Sequence, residues 1–123
     1  MITVAPVKDE NEIKEYYKKA GINADDCAGC VAAKSGGAVL GFCLYTLTEK
    51  EITVLFVAPD DDLSLADGIL RSALHVAALR GAMDARYEGE KTEVLLSKLG
   101  FILDKNSKKV DIDKLFCGCG GNC

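Results

Sequence analysis

Residues 51–81, EITVLFVAPDDDLSLADGILRSALHVAALRG, decide the fold. Residues 51–57 are rich in β-branched and aromatic side chains, the composition of a strand. Pro59 cannot donate to a sheet ladder and ends it. Over residues 65–80, Leu65, Ile69, Ala73, Val76 and Ala77 recur at helical spacing, with Asp67, Arg71 and His75 four apart on the polar face. A strand that runs through a short loop into a helix puts unpaired N–H groups at the helix N-terminus, a ready site for phosphate. Yet this loop carries Asp60, Asp61 and Asp62, the wrong charge for that ligand. Ser64 followed by Asp67 has capping-box spacing and predicts a helix that supplies its own anion.

Outward from this segment the pattern stays α/β. Residues 2–7 predict a short edge strand, since Pro6 fits an edge and not a centre. Asp9 with Glu12 predicts a capped helix carrying Ile13, Tyr16, Tyr17 and Ala20 on one face and ending at Gly21. Residues 30–34, 38–47 and 51–57, separated by Ser35-Gly36-Gly37 and Thr48-Glu49-Lys50, predict an antiparallel meander. Beyond Gly81 come a short strand over 82–85, a helix over 91–99 and a hairpin turning at Asn106-Ser107.

At 123 residues the chain makes one domain. Its net charge of −4 and pI of about 5.0 leave no basic stripe for nucleic acid. No apolar run is long enough to span a bilayer, and MITVAPVKDE has no apolar signal core. The expectation is a cytoplasmic protein with neither nucleic-acid nor membrane partners.

Three segments resemble the GNAT acyl-CoA N-acyltransferases: Val57-Ala58-Pro59 before a helix, Ala78–Gly81 at that helix's end, and residues 95–101, LLSKLGF, against the family's L-Y-x-K-L-G-F. They cover about residues 40–101. The resemblance implies a mixed, mostly antiparallel sheet flanked by helices over residues 1–116; the low-complexity composition of 117–123 predicts a flexible Cys/Gly-rich tail. The region before the meander has room for one helix where the family has two. It also implies acetyl-CoA as co-substrate and a small-molecule or peptide amine as acceptor. The cofactor would be held through Phe56, Val57, Leu65, Ala66, Asp67 and Gly68. Laying the family's R/Q-x-x-G-x-G/A loop on the chain puts the Arg/Gln position on Asp62 and the glycines on Leu65 and Asp67. The family's acid, a tyrosine, falls on Leu96. The catalytic candidates are therefore Glu51, the only carboxylate on its strand, as base, and Tyr87, the nearest phenol, as acid. An exposed meander edge makes a homodimer an expectation.

Two alternatives stay open. One is a fold relative that has lost CoA binding and serves as a binding or regulatory module. The other is a thiol or metal role for Cys27 and Cys30, spaced C-x-x-C, with Cys117, Cys119 and Cys123. A site shared between the two groups would have to bridge roughly four strands, about 19 Å. Cys43 reads as a small core filler.

Overall fold

The structure, a computed structural model, describes residues 2–111. Along the chain run β1 (Thr3–Pro6), α1 (Glu10–Ala20), β2 (Ala28–Ser35), β3 (Ala38–Leu47), β4 (Glu51–Ala58), α2 (Leu63–Leu79), β5 (Asp84–Tyr87), α3 (Glu90–Leu99), β6 (Ile102–Asp104) and β7 (Lys109–Val110). The strands form one sheet in the order β1-β2-β3-β4-β5-β7-β6. Every pairing is antiparallel except β4 with β5. That parallel pair is the expected consequence of a strand–helix–strand crossover, which α2 supplies. No helix among the described residues is long and apolar enough to cross a membrane.

Strand alternation divides the core into two layers. Val31, Ala33, Cys43, Ile52 and Val54 face Ala66, Ile69, Leu70, Ala73, Leu74 and Ala77 of α2. Cys30, Ala32 and Leu44 face Tyr16 and Tyr17 of α1. Tyr17 ties its helix to two strands at once: its hydroxyl donates to the Tyr45 carbonyl at 2.5 Å and accepts from the Gly29 N–H at 3.3 Å. Gly29 has to be glycine here, because a Cβ would run into the Tyr45 ring.

Several expectations need correction. Asp9 caps α1 by accepting from the Asn11 N–H at 2.9 Å, but Glu12 does not close a capping box. It reaches across to Lys34 of β2 at 2.7 Å, where a cation competes for it. The strand expected at 30–34 runs over 28–35, and the one expected at 82–85 is β5, which takes in Tyr87. The cap of α2 is Asp62 and not Ser64. Its carboxylate accepts from the Leu65 N–H at 3.1 Å, which starts the helix at Leu63 and leaves Ser64 within the first turn.

The strand start also sets the two thiols of the C-x-x-C segment in different surroundings. Cys27 precedes β2 and is exposed, whereas Cys30 is buried under α1, and burial pushes its thiol up to about 12. Among the described residues no group of three or more His, Cys, Asp or Glu side chains could hold a metal ion. Cys117, Cys119 and Cys123 lie outside the described residues.

Two outcomes test this packing. Brief alkylation of the native protein should label Cys27 and spare Cys30 and Cys43, as read by peptide mass spectrometry. All four tyrosines of the chain, Tyr16, Tyr17, Tyr45 and Tyr87, are raised above the ordinary phenol value of 10.0 chiefly by burial, Tyr45 and Tyr87 to about 12. The fold therefore favours the neutral phenols. That stability is fully present below about pH 10 and is lost as pH rises toward 12. Phenolate absorbance should accordingly appear together with loss of the circular-dichroism signal, and not before it.

Candidate functional site

β4 carries one residue more than β3 can match. Leu44 pairs with Phe56 and Tyr45 with Val54, so Leu55 is a bulge. On its other edge β4 pairs with β5 from Glu51↔Asp84 only as far as Val54↔Tyr87. The last main-chain bond there is from the Glu88 N–H to the Val54 carbonyl at 2.9 Å. Beyond it β4 continues to Ala58, while the segment after β5 turns at Gly89, at φ 94, into α3. The two parallel strands therefore part at Leu55.

Thr92, buried in the first turn of α3, fixes the width of that parting. Its hydroxyl donates to the Leu55 carbonyl at 3.0 Å. Tyr87, 1% exposed, lies at the last paired step and donates its hydroxyl to Glu93 at 2.7 Å. Burial first, and that bond second, push its phenol up to about 12. Its proton is held by α3 in this arrangement.

Above the parting lies the loop into α2. Gly41 lets β3 pass close beneath it, since a Cβ there would strike the Ala58 carbonyl and Ile69 of α2. Of the residues expected to hold a cofactor, Phe56 and Val57 lie on β4 just past the bulge. Leu65, Ala66, Asp67 and Gly68 form the first turns of α2. Val57, Leu65 and Ala66 share the core between β4 and α2, whereas Phe56 packs on the α1 side of the sheet. Two of their amides are already engaged by one residue: Leu65 N–H by the Asp62 carboxylate and Ala66 N–H by the Asp62 carbonyl at 3.0 Å. Asp67 pairs with Arg71 at 2.8 Å, and Gly68 is exposed. His75 is exposed on the same helix.

Two concavities flank the parting. A cleft of about 280 Å³ is lined by Asp60 from the loop and by Glu90, Lys91, Val94, Leu95 and Lys98 from α3. A groove of about 280 Å³ on the face away from α2 is lined by Glu51, Thr53, Arg86, Tyr87, Glu88 and Lys108. Glu51, one of the two catalytic candidates, is at the far end of this groove. It stands four residues before Leu55, about 13 Å along the strand. Arg86, Glu88, Thr92 and Lys108 were not singled out by sequence. Glu88, directly after a strand expected to stop at 85, was the one that correct strand ends would have placed at the site.

No protein-family model matches the chain, and neither does any curated protein sequence. Solved structures do. The ribosomal-protein-S18-alanine N-acetyltransferase from Escherichia coli superposes with a TM-score of 0.60 at 14% identity, over 89% of this chain and 88% of that one. An aminoglycoside acetyltransferase from an uncultured soil metagenomic sample gives 0.61 at 17%, over 85% and 93%. The ribosomal-protein-alanine N-acetyltransferase from Brucella melitensis biovar Abortus gives 0.60 at 11%, over 80% and 90%. At these identities the likeness is one of architecture, and the chain has the fold of the GNAT acetyltransferases.

Proposed function

We propose that the protein transfers an acyl group, acetyl in the simplest case, from acyl-CoA to an amine. The parting of β4 from β5 at the Leu55 bulge is the observation behind this reading. A parallel pair that opens partway exposes main-chain groups of β4 to an extended ligand, as an unpaired edge would. The pantetheine arm of CoA, with its two amides, is a ligand of that kind. The acceptor amine would enter through the groove on the opposite face. It would lose a proton and attack the thioester carbonyl, whose developing charge a β4 N–H near Val57 would hold. Glu51 would take the proton through water, given its distance from the parting. Tyr87 would serve the leaving thiolate only after releasing Glu93.

A second reading has its own observation. Asp62 sits where the family places a cation or an amide side chain, and its carboxylate occupies the Leu65 N–H. A diphosphate about 6 Å away would meet like charge worth roughly 1–3 kcal/mol at effective dielectrics of 20–60. A GNAT fold capped in this way favours a binding or regulatory module that has given up CoA. The thiol or metal role rests on the tail cysteines, outside the described residues.

Thermal melting with millimolar acetyl-CoA separates the two. The transferase reading expects stabilisation, about 2.7 kcal/mol for a ligand at 100 times its dissociation constant. An unchanged melting temperature removes that reading in favour of the module. Asp62→Ala should act in opposite directions on the same protein. Loss of the cap costs about 1 kcal/mol and a few degrees of melting temperature. Acetyl-CoA affinity, by titration calorimetry, should rise about tenfold as the carboxylate leaves and the Leu65 amide is freed.

A further inference from the structure

The groove between β4 and β5 contains an arrangement of charge that amine transfer alone does not require. Glu51 and Thr53 on β4, and Arg86 and Glu88 on and just after β5, share the sheet face away from α2, because Ile52, Val54, Ala85 and Tyr87 take the other. α1 packs on β2 and β3, and among the described residues no helix covers this part of the face. Two carboxylates and two cations, Arg86 and Lys108, thus converge on one concavity of about 280 Å³.

These four charges do not neutralise one another. The ion pairs among the described residues are Lys34 with Glu12 and Arg71 with Asp67. Arg86 instead donates from Nη2 to the Ser107 carbonyl at 3.1 Å, and the Lys108 carbonyl accepts from the Tyr87 N–H at 3.0 Å. Both bonds pin the β6–β7 turn to β5. Lys108 is held there in the left-handed region, at φ 55, the only such non-glycine among the described residues. A lysine is a poor choice for that backbone unless its position matters.

The charges are also ordered along the groove. Glu88 stands at the parting, where its own N–H makes the last bond to β4. Arg86 stands two residues back, about 7 Å away. An ammonium near Glu88 would face the acyl donor while a carboxylate reached Arg86 and Lys108.

We propose that this groove binds a zwitterionic acceptor, an α-amino acid, with its ammonium toward Glu88 and its carboxylate on Arg86 and Lys108. As a substrate class this rests on the acyltransferase reading; as a binding site it does not.

The test has two arms on the full chain. In the first, ¹⁵N-labelled protein without CoA is titrated with each of the twenty standard amino acids and with their methyl esters, which keep the amine and lose the anionic group. At least one amino acid should shift the Arg86, Glu88 and Lys108 amides and bind about tenfold tighter than its ester, the worth of a charge-assisted contact. Arg86→Gln with Lys108→Asn should bring that ratio close to one, whereas Arg86→Lys, which keeps the charge, should retain most of it. In the second arm, transfer from acetyl-CoA is measured for the same pair, and the ratio of kcat/KM should follow the binding ratio. If transfer is absent but the binding ratio and its loss in the double variant persist, the acyltransferase reading falls and the amino-acid groove stands. Equal binding of acid and ester, no shift at these amides with any amino acid, or a ratio untouched by the double variant overturns the groove.

Discussion

One residue too many in β4 sets the geometry of everything that bears on function. With Leu55 unmatched by β3, the strand bends and its twist increases, and its far half can no longer lie against β5. The Leu55 carbonyl, part-buried and without a β5 partner, then needs a donor, and Thr92 supplies one from the first turn of α3. That bond decides where α3 begins and how far the strands can part. Gly89 enters α3 at φ 94, a backbone that side chains rarely adopt. The cleft between the α2 loop and α3 and the groove over the paired part of β4 and β5 lie on either side of this stretch of chain.

The elements with a strong period were legible in the sequence. The meander, α1, α2 and α3 all follow from alternation or helical spacing together with glycines at turns. The bulge was not, because Leu55 is one more apolar residue in an apolar run and only its pairing partner marks it as extra. Strand ends were blurred for a related reason: Ala82 alternates like a strand residue, but β5 starts where Asp84 comes level with Glu51. Caps were misread where a second partner existed. Glu12 had spacing for a capping box and found Lys34 instead. Asp62 and Ser64 are both good caps, and the first of them to reach an amide started the helix. Asp67, released from capping, pairs with Arg71 one turn on. The cysteines illustrate the same limit: C-x-x-C spacing is informative only if both thiols share a surface, and one of these is core.

The conflict between architecture and charge in the α2 loop is sharpened by the structure and moved by two residues. Self-capping was expected from Ser64 and Asp67 and comes instead from Asp62 alone, through its carboxylate and its carbonyl. A helix N-terminus can satisfy its amides internally or offer them to a ligand, and a side-chain anion makes the first choice while raising the electrostatic cost of the second. Asp60 and Asp61 add to that field; all three aspartates of the loop are exposed and screened by salt, and Asp62 differs in being bonded to the Leu65 amide itself.

The cations in the cleft bear on the same balance from the other wall. Lys91 and Lys98 are seven residues apart on α3, two turns on one face, with Val94 between them. A diphosphate that entered here would meet its positive charge on α3 and not in the loop, the reverse of the arrangement the family resemblance implies. The loop aspartates would then lie across the ligand from the lysines, and the affinity would follow the difference between two opposed fields. Such a balance is set by a few exposed side chains on a fixed scaffold. The fold therefore constrains where an acyl donor would lie much more tightly than how strongly it would be held.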